Sequence, residues 1–163
     1  MPSFSFWTRW LLIVTILLAV QGVSWMIIGS FEPLGIYDAK LARVLLDSDT
    51  LPADAKATFG YAVALLGATD AAFFLLAAII VRIPFTRKET WAHLALSFSI
   101  LTWFLLDCVF SISVGAWFNV LIVNIPCLLL IGIPLVCTAP VFFGPVPPAL
   151  ESADIGESID QAS

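Results

Sequence analysis

Residues 61–80 read YAVALLGATDAAFFLLAAII. Nearly every position is apolar, and the run meets the requirement of about 20 residues for a helix crossing a bilayer core of about 30 Å. One residue does not fit the pattern. Asp70 stands near the middle, where an aspartate costs about 2.5–3.5 kcal/mol to insert. Each flanking Leu, Phe or Ile returns only about 0.3–0.6 kcal/mol. The helix can still insert, but a carboxylate facing acyl chains would be a net penalty. Asp70 is therefore expected to face the interior of a helical bundle.

The rest of the chain supports a membrane setting. It has 163 residues, 61% of them hydrophobic, against about 45–50% in an ordinary soluble domain. A domain of about 150 residues buries only about 70% of its surface, so this excess cannot be hidden in one small core. Three further apolar segments predict membrane helices, giving spans at about 10–29, 59–81, 91–114 and 117–137. Trp7, Trp10, Trp25, Tyr61, Trp91 and Trp117 mark many of their ends, as expected of residues that favour the membrane interface. The first run continues to Ile28 with no A-x-A-like site to close it, so it reads as a membrane helix, not as a cleaved leader. The fold class expected is all-α: an integral membrane four-helix bundle formed by residues 1–143.

The connections carry the polar information. The first holds DAKLARVLLD at 38–47, read as a short interfacial helix with Asp38 as N-cap and Arg43 paired to Asp47 at i,i+4. Thr50-Leu51-Pro52 looks like a helix start, so the second span is expected to begin near Leu51. Glu32, between Gly29 and Gly35, reads as a solvated turn acid. The second connection holds Arg82, Arg87 and Lys88, and the N-terminus adds Arg9, against Lys40, Arg43 and Lys56 in the much longer first connection. The positive-inside rule then puts both termini in the cytoplasm, with a bacterial inner membrane as the expected location. The tail at 144–163 is acidic and rich in Pro and Ser, and is expected to be disordered.

Several functions are disfavoured. The net charge is −5, and no cluster of Lys and Arg exists to hold nucleic acid. Cys108, Cys127 and Cys137 form no C-x-x-C pair, which argues against thiol–disulfide chemistry. His93 is the only histidine; it reads as an interfacial polar residue, and no metal or cofactor is expected. Pro126, Pro134 and Gly132 in the fourth segment predict a bent helix whose freed carbonyls neighbours must satisfy.

Depth counting suggests a site. At about 1.5 Å per residue from the outer end of each segment, Asp70 lies about 16 Å deep, Asp107 and Asn124 about 10 Å and Gln21 about 12 Å. Asn119 and Ser24 come out shallower. Each span thus contributes one strongly polar side chain to the outer half of the membrane. Trp103 lies one turn from Asp107 on the same face, as an apolar wall. Such a layer suits an amphipathic ligand with a cationic or hydrogen-bond-donating group. Gly60, Ala64, Gly67, Ala68 and Ala71 form a small-residue seam that admits a close neighbouring helix.

The layout of four short-looped spans with intramembrane acids is similar in outline to small sterol-binding and isomerase-like four-helix proteins. The likeness is architectural and assigns no residue a role. The leading expectation is a small membrane protein that binds a lipophilic or amphipathic molecule. Asp70 and Asp107 would anchor it, with Gln21, Asn124 and Trp103 around them. The alternatives are an accessory subunit that packs against another membrane protein or a second copy of itself, and a membrane-embedded enzyme using an aspartate as general acid. Membrane lipids are expected partners in every case.

Overall fold

In a computed structural model of the chain, residues 3–29 and 36–144 are described. Among them are five helices and no strands: α1 (Phe4–Ile28), α2 (Ile36–Leu46), α3 (Ala53–Phe85), α4 (Thr90–Ser113) and α5 (Trp117–Phe143). Helices α1, α3, α4 and α5 are each long and apolar enough to cross a membrane. The chain is a four-span helical membrane protein. Glu32, and the tail beyond Gly144, lie outside the described residues.

Local chemistry sets the helix ends, and it extends three of the spans beyond their apolar runs. Helix α1 starts six residues before the expected boundary because Ser3 caps it, its hydroxyl accepting from the Phe6 N–H. It ends at Gly29, whose left-handed φ of 63° lets its N–H close on Trp25 O at 2.8 Å. Helix α3 starts behind Pro52, as the Thr50-Leu51-Pro52 signal implies. Its last turn, Val81–Phe85, widens to π geometry around Pro84, which has no N–H to give. Between α4 and α5, Gly115 takes φ 79°. The Gly115 N–H then reaches Ile112 O at 3.0 Å and the Ala116 N–H reaches Ser111 O at 2.8 Å, a Schellman stop that reverses the chain at once.

Helix α5 bends through two irregularities. A π turn at Val120–Asn124 precedes Pro126, and Pro134 and Pro140 lie further along. Pro134 cannot bond the carbonyl of Leu130, four residues back. The Trp10 indole of α1 donates to that oxygen at 3.0 Å. A neighbour thus satisfies the freed carbonyl, as the sequence argument required.

Helices α1 and α3 pack most extensively, and their crossing is backbone to backbone. A Cβ on Gly22 would lie 2.6 Å from Gly67 O, and one on Gly67 would lie 2.5 Å from Gly22 O. The small-residue seam therefore has its partner within the chain. Helices α4 and α5 form a second pair, and α3 barely meets α4.

The two ends of the bundle differ. The end holding Arg9, Arg82, Arg87 and Lys88, all exposed, is here called the basic end. The apolar core is concentrated there and in the adjoining half of the bundle, around Leu11, Val14, Ala77, Val81, Phe85, Leu96, Ile100, Ile131 and Leu135. In the opposite half, nearer α2, the buried positions are mainly small or polar: Gly22, Gly67, Ser111, Ala116 and Asn124.

Three local expectations are corrected. Arg43 pairs with Asp49, Nε to Oδ1 at 2.8 Å, and not with Asp47. The helix ends at Leu46 and Asp47 takes φ 50°, which turns its side chain off the helical face. Asp38 lies within the first turn of α2, which starts two residues earlier at Ile36. His93 is buried, not interfacial. Its Nε2 pairs with Leu135 O at 2.9 Å, and its ring packs on Phe85, Phe142 and Phe143. This aromatic cluster encloses the ring that was expected at the interface.

Candidate functional site

The polar residues of the α2 half converge on Asp107 of α4. Ser111, one turn on, donates to Asp107 Oδ1 at 2.8 Å. The Asn119 amide, in the first turn of α5, donates to the same oxygen at 3.0 Å and to Ser111 Oγ at 2.9 Å. Tyr37 of α2 donates its hydroxyl to Asn119 Oδ1 at 2.9 Å. The chain runs in one direction because the carboxylate can only accept, so Asn119 must turn its NH₂ toward Asp107 and its oxygen toward Tyr37. The tight reversal at Gly115 places Ser111 and Asn119 opposite each other.

Tyr37 joins α2 to this network. Its ring meets Phe118 edge-on with centroids 5.0 Å apart, and Lys40 Nζ lies 5.7 Å over the same Phe118 ring. Burial, reinforced by the negative charges of Asp107 and Asp38, pushes the Tyr37 phenol up to about 12. The phenol therefore stays a donor through the neutral range.

Asp70 is half-buried on α3, a helix that makes few contacts with α4. It lies within electrostatic reach of Asp107. Cys127 of α5 lies within reach of both acids. The two carboxylates differ in their support. Asp107 has one oxygen held by two donors, while Asp70 has no hydrogen-bond donor among the described residues. The one ion pair among those residues is Arg43–Asp49, outside the spans.

The other expected site residues scatter. Asn124 is fully buried and donates to Cys108 Sγ at 3.3 Å, and its Oδ1 has no partner. Trp103 is half-buried and packs against the apolar core. Gln21 is exposed on α1. Gly22 occupies the position facing α3, and the preceding residue is turned about 100° away from it. Asn119 and Tyr37, which depth counting set aside or passed over, supply the contacts that Gln21 does not. Only the i,i+4 spacing of Asp107 and Ser111 was visible in the sequence; nothing local in Asn119 or Tyr37 tied either residue to it.

Among the described residues no three His, Cys, Asp or Glu side chains gather closely enough to hold a metal ion. Comparison with protein-family models, curated proteins and solved structures finds no match to this chain.

Proposed function

We propose that this membrane protein binds an amphipathic molecule whose cationic or hydrogen-bond-donating head group sits between Asp70 and Asp107. The observation that carries the reading is the unequal pair: one organised carboxylate and one without a donor among the described residues, on two spans and within electrostatic reach of each other. Neutral polar residues would pack helices at lower cost, since intramembrane hydrogen bonds contribute only about 0.6 kcal/mol each. An ammonium about 4 Å from a carboxylate gains about 4 kcal/mol at an effective dielectric constant of about 20. That exceeds the insertion cost of about 3 kcal/mol for an aspartate. Asp107 Oδ2 and both oxygens of Asp70 are the acceptors for the head group. Asn119, Ser111 and Tyr37 fix Asp107 in place.

The small-residue seam gives less support to the accessory-subunit reading, because Gly22 and Gly67 already occupy each other. The basic end, with Arg9, Arg82, Arg87 and Lys88, is assigned to the cytoplasmic face by the positive-inside rule. A bacterial inner membrane fits that assignment, and the site then lies in the half of the bundle nearer the outer face.

The test uses the full chain in phosphatidylcholine nanodiscs with dodecylamine as probe and dodecanoic acid as control. Dodecylamine should raise the thermal midpoint and the acid should not. Asp70→Asn and Asp107→Asn should fold and lose the amine response. Equal shifts from both probes, or an undiminished amine response in both variants, would refute the reading.

A further inference from the structure

Four cations share the basic end: Arg9 of α1, Arg82 of α3, and Arg87 and Lys88 of the loop that follows, all exposed. Among the described residues none of them has a carboxylate partner, since the one ion pair is Arg43–Asp49 at the α2 end. Glu89 is the one acid in that loop, and its carboxylate accepts from the Trp91 indole at 2.6 Å. The acids that can answer these charges lie in the segment that leaves the same end. Residues 145–163 carry Glu151, Asp154, Glu157 and Asp160 and no Lys or Arg. The four recur at every third position. That period lines them up on a backbone with three residues per turn and keeps them within one half of an α-helix.

The structure fixes where that segment starts. Helix α5 ends at Phe143, and Gly144 is extended, with its N–H on Pro140 O at 2.9 Å. Phe142 packs on Phe4 with ring centroids 5.9 Å apart, and Lys88 Nζ stands 5.9 Å from the centroid of the same Phe4 ring. The chain therefore leaves the bundle within two ring contacts of Lys88. Phe4 also stacks on the fully buried Phe85, so Lys88 lies over the end of the core and beside the chain's exit. Seven residues separate Gly144 from Glu151, and a chain of that length spans roughly 13–16 Å on average. The first acid thus reaches Lys88 at no cost in stretching, and the later ones have the length to reach the remaining cations.

We propose that the acidic C-terminal segment 145–163 docks on the basic end of the bundle, setting the row Glu151, Asp154, Glu157 and Asp160 against Arg9, Arg82, Arg87 and Lys88. Tethering decides the occupant. Carboxylates held on so short a span have an effective concentration in about the millimolar range, and four on one segment act together. The contact is independent of which side of the membrane this end faces, because the segment and the cations share it. Its consequence is an end whose four positive charges are met from within the chain.

Carbodiimide coupling provides the test, because Lys88 is the one lysine at this end and Lys40 and Lys56 lie in α2 and the first turn of α3. In phosphatidylcholine nanodiscs holding one full-length chain each, mass spectrometry should find Lys88 joined to carboxylates of the segment, and Lys40 and Lys56 not joined to them. The tether alone gives some coupling, so the charge contact is read from how the yield varies. It should fall about fivefold between 50 mM and 500 mM NaCl, as the screening length shrinks from roughly 14 to 4 Å. At low salt it should fall about as far in Arg82→Gln/Arg87→Gln, which alters only exposed side chains. Asp154→Asn/Glu157→Gln leaves the bundle untouched and should lower coupling at the retained Glu151 and Asp160 about twofold, so the proposal stays testable where the arginine variant inserts poorly. A yield that neither salt nor the segment variant lowers overturns the proposal, since the tether then explains it. Loss of the coupling when 30% phosphatidylglycerol is added at low salt also overturns it, since anionic head groups then hold this end in place of the segment.

Discussion

The Tyr37 hydroxyl donates to Asn119 Oδ1 at 2.9 Å, and the Asn119 amide in turn donates to Asp107 Oδ1 at 3.0 Å. A residue of the short extramembrane helix thereby orients an acid inside a membrane span. The link has a pH signature. Burial, with Asp107 and Asp38, raises the Tyr37 phenol from 10.0 to about 12 in the folded protein. Below the unfolded value both states hold the proton, and the contribution to stability is fully present. Between 10 and about 12 only the folded state holds it, so unfolding releases a proton and stability falls as pH rises through that window. Phenolate absorbance should show this in a Tyr61→Phe background, where Tyr37 is the only phenol. The transition should be centred near 12, and the thermal midpoint should fall across the same window. Tyr37→Phe keeps the ring against Phe118, removes the transition and costs about 1 kcal/mol, as expected for one hydrogen bond. A phenol that ionises at the ordinary value would contradict the link.

The α1–α3 crossing makes a second prediction, built on two glycines that differ only in what faces them. A Cβ on Gly22 would lie 2.6 Å from the Ala71 nitrogen and the Gly67 oxygen, both backbone atoms that cannot step aside. A Cβ on Gly132 would meet only the Leu128 side chain, 3.7 Å away. Gly22→Ala should therefore destabilise by about 1–3 kcal/mol, the usual range for overpacking, despite the better helix propensity of alanine. Gly132→Ala meets no clash and should gain up to about 1 kcal/mol. Thermal unfolding of the two variants, side by side in one detergent, reads both signs. If both variants are stabilised, the close crossing is wrong.

How much of this was legible in the sequence depends on the kind of information each residue carries. Hydropathy gave the number of spans, because lipid imposes it on every turn of a helix. It did not give the ends of α1 or α5, since Ser3 capping and the extension through Pro140 to Phe143 act beyond the apolar runs. Gly67 and Ala71 advertised a close crossing but not its partner, because a glycine presents the same surface to any helix. Depth counting set Asp70, Asp107 and Gln21 in one layer, but depth carries no azimuth, and Gly22 rather than Gln21 holds the position facing α3. Asn119 and Tyr37 were missed for a different reason. Their roles come from the reversal at Gly115 and the docking of α2 over it, which are long-range events with no local signature in either residue.

The contact between Trp10 and Leu130 supports the last prediction, in which one substitution should repair another. Pro134 leaves the Leu130 carbonyl without a helical donor, and the Trp10 indole supplies one at 3.0 Å from the neighbouring span. Trp10→Phe keeps an aromatic ring at that position and deletes the donor. In the bilayer no water replaces it, so the cost should lie between the intramembrane average of about 0.6 kcal/mol and the maximum of about 1.7 kcal/mol. Pro134→Ala restores an N–H to the helix and satisfies Leu130 from within α5. In that background Trp10→Phe should cost much less, because its carbonyl already has a donor. A double-mutant cycle by thermal or denaturant unfolding therefore predicts a coupling energy of about 1 kcal/mol between positions 10 and 134, although the two side chains need not touch. Strict additivity would mean that the indole contributes only its packing and that the freed carbonyl is satisfied in some other way.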